Sequence, residues 1–451
     1  MNNKLISLLV FIIILSASCK KYLDLKPDKT LAVPTTIADL QALLDNNEKM
    51  NTNRPSLGEV SADDYYLTNT NYAAVSLISR NAYIWDTAVN STTIPNSWSY
   101  AFDPVYFSNV VLEKIDKISF SEQTKIAWNN VKGSALFFRA RSFLAVAWIW
   151  AKAFDPPTAN TDLGIPLRLT SDFNTPSKRS NLQQTYDQII DDLKNAIGLL
   201  PVKPANAMRP SKPAAYALLA RTYLSMRQYD KAGLYADSCL QLYNQLLDYN
   251  DLNASQFHPV ARFNKEVIFH STMEFVYYNL YYSYSSVDSN LYNSYDSNDL
   301  RRTIFLKANP DGSHYFAGSY DNSANLFNGI ATDEIYLIRA ECFARANNVQ
   351  SALNDLNTLL EKRWRKGSFV PFSATTAPEA LNLILLERRK ELLFRDLRWS
   401  DVKRFNKEGA NIILKRIVNS QSFTLQPNEN RYALPLPPDV VNLSGMQQNR
   451  R

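Results

Sequence analysis

Few side chains of this 451-residue sequence have the types and spacing that catalysis or metal binding requires. The three histidines are His258, His270 and His314. No two of them stand at a ligand spacing, and the chain contains neither CxxC nor HExxH. It also lacks GxSxG, a phosphate-binding loop and a dinucleotide fingerprint. The sequence therefore predicts no metal and no cofactor.

Two pairs of adjacent acids are the remaining candidates for acid–base chemistry. Asp63-Asp64, beside Tyr65 and Tyr66, could serve as a glycosidase pair or accept hydrogen bonds from sugar hydroxyls. Hydrolysis requires two carboxyl groups about 5 to 10 Å apart across the scissile bond, which adjacent acids on a loop seldom provide. Asp191-Asp192 is predicted to be the solvated edge of an amphipathic helix. We therefore predict that the protein is not an enzyme.

Aromatic side chains in two irregular segments suit the binding of sugars better. A sugar ring has apolar faces and a polar rim, so tyrosine and tryptophan platforms among Asn, Asp and Ser match it. Seven tyrosines lie between positions 277 and 295. The predicted ligand-binding residues are Tyr65 and Trp85 from the first segment and Tyr281, Tyr284 and Tyr295 from the second. The alternative is that these tyrosines pack the loops onto a helical frame.

Charge gives less guidance about partners. The formal net charge of +6 is too small to predict binding to nucleic acid. The run from Glu387 to Lys407 carries eight basic and four acidic residues, and we predict that it forms a charged outer helix face.

The elements that must position the aromatic segments are helices. Glycine is scarce, with 11 residues in the chain, which argues against most all-β folds. Two stretches, 214–246 and 333–363, share a spacing of small and aromatic residues that is typical of tightly packed helix pairs. The residues concerned are Ala220, Tyr223 and Ala232 in the first stretch and Ala340, Phe343 and Ala352 in the second. This spacing resembles the tetratricopeptide repeat, although two ordinary helical hairpins would also fit.

Further helices are predicted over 98–118, 121–154, 182–200 and 378–405. The second of these has two apolar stripes, so we expect it to be covered on two sides. Segments 46–95 and 247–330 lack helical periodicity. The fold class is therefore all-α, a scaffold of tetratricopeptide-like helix pairs with long, irregular, aromatic-rich loop insertions. Cys239 and Cys342 could form a bridge, but their places on packed helices favour two buried thiols.

The first 18 residues resemble a bacterial lipoprotein signal peptide. Lys4 precedes the apolar run 5–15, which is too short to span a bilayer, and small residues then lead to Cys19. The resemblance implies cleavage before Cys19 and lipidation of its thiol, with 19–35 as a membrane tether. Ser16 stands where the strictest form of this signal has leucine. An ordinary secretory signal with an incidental cysteine is the alternative.

Several further stretches, in order along the chain, resemble the SusD/RagB family. They include FFRARSFLAVAWIWAKAF with the later GIPL, TYDQIIDDLKNAIGLLP, RPSKPAAYALLARTYL, DEIYLIRAECFARA, ERRKELLFRDLRWSDVKRF and the closing YALPLPPDVVNLSGMQQNR. The resemblance implies a SusD-like N-terminal helical half over 36–246 and a SusD/RagB C-terminal half over 247–451, packed as one unit.

The family resemblance also implies a function and partners. It implies a lipid-anchored, surface-exposed, non-enzymatic protein of the outer membrane that binds a glycan or an oligopeptide. Such a protein delivers its ligand to a SusC-like TonB-dependent barrel. Two other classes remain open: a helical enzyme that cleaves glycans, and a repeat scaffold that binds only proteins.

Overall fold

Helices dominate the computed structural model, which describes residues 34–451. The helices of the first half are α1 (Ile37–Leu44), α2 (Asn47–Met50), α3 (Leu57–Ser61), α4 (Asn69–Ala74), α5 (Leu77–Tyr83), α6 (Ser97–Ile115), α7 (Lys125–Trp150), α8 (Leu182–Leu199), α9 (Lys212–Ser225) and α10 (Tyr229–Leu242). Those of the second half are α11 (Ser289–Asn293), α12 (Arg301–Ile304), α13 (Thr332–Arg345), α14 (Val349–Glu361), α15 (Ala377–Glu391), α16 (Arg398–Lys407) and α17 (Pro438–Ser444). The mostly helical fold class is confirmed.

The predicted signal peptide, the tether and Cys19 lie outside the described residues. In the part of the chain from 34 onward, no helix is both long enough and apolar enough to cross a membrane.

The longest helix, α7, packs between α6 and α8, as its two apolar stripes predict. One polar contact secures this packing. Arg139 of α7 donates from Nε and Nη2 to the two carboxylate oxygens of Asp192, at 2.8 and 2.7 Å. The prediction that Asp191-Asp192 is a solvated edge is therefore wrong for Asp192, which is buried against α7. A helical pattern shows which face a residue occupies, but not that an arginine from another helix will cover that face.

Both predicted helix pairs form, as α9 with α10 and α13 with α14. The small residues at the contacts, Ala220, Ala232, Ala340 and Ala352, are fully buried. The pairs also meet each other, because α10 lies on α13. A Cβ at Gly233 would come within 2.9 Å of the Cys342 Cβ, so the helices approach closely only because this position is glycine. The tetratricopeptide character of the pairs stays a prediction.

The two cysteines of these helices, Cys239 and Cys342, are buried free thiols, as predicted. Burial raises the pKa of both thiols, which keeps them protonated and unreactive at neutral pH.

Short strands pair only two at a time and join distant segments. They are β1 (Tyr65–Leu67), β2 (Leu163–Pro166), β3 (Arg179–Asn181), β4 (Val267–Phe269), β5 (Ser285–Val287), β6 (Leu306–Ala308), β7 (His314–Phe316), β8 (Ile330–Ala331), β9 (Leu414–Val418) and β10 (Gln421–Leu425). All five pairs are antiparallel: β1–β5, β2–β3, β4–β8, β6–β7 and β9–β10. The β1–β5 pair holds the first aromatic segment against the second.

One large apolar core includes buried residues from Leu40 to Met446, and a smaller one lies among α13, α14 and α15. The large core has members in both predicted halves. The division at residue 246 itself stays a prediction.

The charged run from Glu387 to Lys407 does not form an outer face. Most of its ionic side chains are buried, and they pair with charges from other elements. Glu391, for example, accepts from Arg301 at 2.9 Å and from Arg363 at 2.7 Å. The prediction was wrong because a single sequence does not show that other segments supply opposite charges at these positions.

Candidate ligand-binding site

Six aromatic side chains gather at the surface of the second irregular segment, and we call this group the aromatic ledge. Its members are Phe257, Tyr278, Tyr281, Tyr282, Tyr284 and Tyr315. Phe257 and Tyr278 have 47% and 52% of their surface exposed, and the other four are partly exposed. Exposed rings in such a group can stack on a planar or weakly polar ligand.

Adjacent buried residues fix the position of the ledge. Tyr277 is buried, and its hydroxyl donates to the carbonyl of Val89 at 2.7 Å. Asn279 is also buried, and its side-chain amide donates to the carbonyl of Ser79 at 2.9 Å. Since Tyr277 and Asn279 point inward, the intervening Tyr278 is turned outward.

The backbone after these anchors is equally fixed. The Tyr281 carbonyl accepts the N–H groups of Tyr284 and Ser285, at 2.8 and 3.0 Å. The side-chain amide of Asn71 donates to the Tyr284 carbonyl at 2.8 Å. Strand β5 begins at Ser285 and pairs with β1. The ledge is thus mounted on ordered backbone, which favours binding because few rings must be immobilised by the ligand.

Four members of the ledge were not among the predicted ligand-binding residues: Tyr278 and Tyr282, which lie in the tyrosine-rich stretch 277–295, and Tyr315 and Phe257, which lie outside it. Tyr315 lies on β7 with its ring centroid 5.7 Å from that of Tyr282. The Phe257 ring meets Tyr282 edge-on at 5.2 Å. Tyr315 and Phe257 lie outside the tyrosine-rich stretch 277–295, so that composition signal does not include them. Only the folding of the β6–β7 hairpin and the 253–258 loop brings them together.

The polar groups of the ledge are available to a ligand. Within residues 34–451, the hydroxyls of Tyr278, Tyr284 and Tyr315 have no protein hydrogen-bond partner. The neighbouring Tyr282 hydroxyl raises the pKa of the Tyr281 hydroxyl, so this group remains a neutral donor and acceptor at neutral pH. Ring faces flanked by free hydroxyls match the two kinds of surface that a sugar presents.

Of the five residues predicted to bind ligand, Tyr281 and Tyr284 belong to the ledge, and their role in binding stays a prediction. Tyr65 and Trp85 do not reach the surface, because they are only 1% and 2% exposed. With Tyr83 they surround the guanidinium of Arg416, whose central carbon is 4.8, 5.5 and 4.3 Å from the centroids of Tyr65, Trp85 and Tyr83 respectively. These rings stack on an internal cation, so the prediction that they contact ligand needs correction.

Tyr295 is buried as well, at 2% exposure. Its hydroxyl donates to the Lys390 carbonyl at 2.8 Å, and its ring lies 5.7 Å from the guanidinium of Arg301. A ring enclosed in this way cannot stack on a ligand from solvent. The segment is rich in aromatic residues, but Tyr295 packs in the core and does not face solvent.

The acidic pair Asp63-Asp64 also has a structural role. Arg398 donates to both carboxylate oxygens of Asp63, at 2.7 and 2.9 Å, and Arg389 donates to Asp64 at 2.8 Å. Although burial opposes it, the neighbouring guanidiniums of Arg398 and Arg389 hold the pKa of Asp63 well below its ordinary value. Both acids are thus engaged in ion pairs that join the first aromatic segment to α15 and α16.

A second aromatic surface lies elsewhere, in a groove of about 400 Å³. Trp98, Phe102, Tyr106 and Phe173 line it, and the rings of Tyr106 and Phe173 stack at 4.9 Å. Several of its polar side chains already bond to protein groups. Arg168 donates to the carbonyls of Thr175 and Asp172, and the Ser171 hydroxyl donates to Glu113. The groove has one tyrosine hydroxyl, that of Tyr106, where the ledge has five.

No three His, Cys, Asp or Glu side chains converge on a metal-sized space anywhere between residues 34 and 451.

An ordered ledge of partly exposed tyrosines on a helical scaffold can serve as a binding surface. The chain belongs to the SusD/RagB family. Residues 21–224 match a SusD-like family model described as starch-binding and associating with the outer membrane. Residues 235–450 match the model of the SusD family.

Solved structures show the same fold. A putative sugar-binding protein from Bacteroides vulgatus superposes with a TM-score of 0.75 at 21% identity, covering 92% of this chain and 99% of its own. A SusD superfamily protein from Bacteroides thetaiotaomicron gives a TM-score of 0.74 at 21% identity, with coverages of 92% and 100%. A SusD-like carbohydrate-binding protein from Bacteroides vulgatus gives 0.68 at 19% identity, with coverages of 91% and 97%. No curated protein matches the chain.

Proposed function

We propose that the protein captures a glycan on the aromatic ledge and delivers it to a SusC-like TonB-dependent barrel in the outer membrane. The observation that carries the proposal is the cluster of partly exposed tyrosines, of which Tyr278, Tyr284 and Tyr315 have hydroxyls without a protein partner within residues 34–451. The family match supports the class of ligand, since its model is described as starch-binding. The ledge lies on loops mounted on a rigid scaffold, which is where binding residues usually collect.

The ledge is favoured over the groove around Trp98 for a chemical reason. A glycan needs hydrogen-bonding partners around its rim as well as apolar faces. The ledge has free tyrosine hydroxyls, whereas Arg168 and Ser171 in the groove bond to other protein groups. An oligopeptide is the alternative ligand of the same uptake system. Tyrosines also suit peptide recognition, so the ligand class must be tested directly.

We expect Tyr278→Ala and Tyr281→Ala each to weaken glycan binding by about 1 to 3 kcal/mol, as loss of an aromatic anchor does at other interfaces. Because both rings are exposed or partly exposed, their loss should change the melting midpoint little. A screen of the full chain, purified in detergent, against polysaccharides and peptides would identify the ligand. Titration calorimetry of each variant would then measure the affinity.

Two matched variants locate the site and separate its contributions. Tyr106→Ala removes a tyrosine ring from the groove and should leave the affinity unchanged. Tyr281→Phe keeps the ring but removes the hydroxyl, so it should show a smaller loss than Tyr281→Ala. Full affinity in both ledge alanine variants, with a loss in Tyr106→Ala, would place the ligand in the groove. Shortening of the glycan during incubation would favour the enzyme alternative.

Membrane attachment through Cys19 is a separate part of the proposal. We expect Cys19→Ser to move the protein from the membrane fraction to a soluble fraction, because the acyl chains would no longer be attached. Fractionation followed by immunoblotting measures this change, with Cys239→Ser as the control that keeps the acylation site. Unchanged partition of the Cys19 variant would show that the protein is held by something else.

A further inference from the structure

A small cavity of about 30 Å³ is lined by an unusual number of positive charges. Arg54, Arg141, Arg221 and Arg395 all face it. Each of the four is at most 7% exposed. They come from a loop after α2, from α7, from α9 and from the turn before α16, so only the tertiary fold brings them together. Asp396 is the one acidic residue of the lining.

Two of the four guanidiniums have carboxylate partners. Arg221 donates to Glu334 at 2.8 and 2.5 Å, and Arg395 donates to Asp333 at 3.0 Å. These two charges are therefore balanced. A buried pair of this kind leaves no net charge for the cavity to neutralise.

Arg54 and Arg141 are different, because neither forms an ion pair with a carboxylate of the described chain. Arg54 donates to the carbonyls of Thr52 and Lys49, both at 3.0 Å. Arg141 donates to Ser271 Oγ at 2.9 Å and to Asn328 at 3.2 Å. All these partners are neutral, so the two buried guanidiniums have no carboxylate in direct contact. Buried charges are ordinarily paired because the cost of removing them from water is high.

Several donors of the arginines that line the cavity also lack partners. They are Arg54 Nη1, Arg141 Nε, and Arg395 Nε and Nη2, and each is buried without a protein acceptor. An unsatisfied buried donor destabilises the fold because it has lost its hydrogen bonds to water. Water could accept some of these hydrogen bonds, but water would not neutralise the two guanidiniums.

Asp396 compensates only part of the positive charge of Arg54 and Arg141. Burial raises the pKa of its carboxyl to about 7, so part of its negative charge is lost near neutral pH. Burial, together with the neighbouring charges of Arg54 and Arg221, lowers the pKa of Arg141 to about 9. One carboxyl therefore lies beside two guanidiniums that form no ion pair.

We propose that this cavity binds one monovalent anion of chloride size. Its volume corresponds to about two water-sized spheres, which is enough for a monatomic ion. The free N–H groups of Arg54, Arg141 and Arg395 would be its donors. The ion would cross-link α7 to the segments that contribute Arg54 and Arg395.

Melting of the full chain, purified in detergent, in sodium chloride and in sodium gluconate of equal ionic strength tests the proposal. We expect chloride to raise the midpoint by about 2 °C and the effect to saturate, because the ion binds the folded state only. Arg450→Gln removes an exposed arginine charge and should keep this response. Arg141→Gln should lose it.

A second variant keeps the test valid if Arg141→Gln fails to fold. Asp396 has a φ of +60°, a conformation that asparagine also tolerates, so Asp396→Asn should fold. It removes the competing carboxylate and should increase the response to chloride at pH 8. Crystals grown in sodium bromide should show an anomalous peak between Arg54 and Arg141. Equal midpoints in the two salts and no bromide peak would mean that the cavity holds water only, which would overturn the proposal.

Discussion

Trp85→Ala should lower the free energy of unfolding by about 3 to 5 kcal/mol, the usual cost of deleting a buried tryptophan. Trp85 is 2% exposed, and its Nε1 donates to the Ser61 carbonyl at 2.9 Å. The variant loses this hydrogen bond and opens the cage around Arg416. The backbone of Trp85 has a φ of +58°, a strain that alanine would share, so the difference comes from the side chain. Urea denaturation followed by circular dichroism measures the change.

The companion measurement is glycan affinity, at a temperature where Trp85→Ala is still folded. We expect the affinity of the folded fraction to equal that of the wild type, since the ring does not reach solvent. Trp85→Phe, which keeps most of the ring but not the N–H, should show an intermediate loss of stability. Normal stability together with lost affinity in Trp85→Ala would mean that Trp85 contacts the ligand.

Arg363→Met should cost about 3 to 5 kcal/mol of stability, because it leaves buried carboxylates without their partner. Arg363 is fully buried and donates to Glu391 at 2.7 Å, to Glu266 at 2.8 Å and to the Leu247 carbonyl at 2.8 Å. Glu391 also accepts from Arg301, so the loss of Arg363 disturbs a larger network. Equilibrium unfolding in urea gives the free-energy difference.

A matched control distinguishes burial from charge removal. Arg431 pairs with Glu429 at 2.7 Å, but both side chains are 29% exposed. Arg431→Met should therefore cost no more than about 1 kcal/mol. Adding Glu391→Gln to Arg363→Met should cost less than the sum of the two single changes, because one orphaned charge is then neutralised. Equal effects of the Arg363 and Arg431 variants would contradict the account of a buried network.

Local pattern was sufficient to predict the long helices but not the short ones α2–α5, α11 and α12, and the helix predicted over 378–405 is interrupted between α15 and α16. The helix expected over 182–200 is observed as Leu182–Leu199, and both helix pairs form where the spacing of small and aromatic residues indicated them. The reason is physical: helical periodicity relates residues three and four positions apart, so the information lies within each segment. The order of the family-like stretches likewise sufficed to predict the SusD/RagB family, which is confirmed.

The aromatic composition of 277–295 predicted a concentration of rings but not their direction. Tyr277 is 1% exposed and its neighbour Tyr278 is 52% exposed. No periodic pattern separates them, because the outcome depends on the carbonyl of Val89, which accepts the Tyr277 hydroxyl from a distant loop. Tyr315 and Phe257 also lie in the ledge because contacts between distant segments place them there.

The sequence by itself determined a helical chain of the SusD/RagB family with two aromatic-rich insertions. The tertiary structure alone decided which aromatic and charged side chains are buried. Arg416, which donates to the Tyr65 carbonyl from 351 positions away, turned two predicted ligand-binding rings into the walls of an internal cage. The run 387–407 became a buried ion network through Arg301 and Arg363. Burial of a polar or aromatic group depends on which distant segment covers it, and that information is not present in the spacing of neighbouring residues.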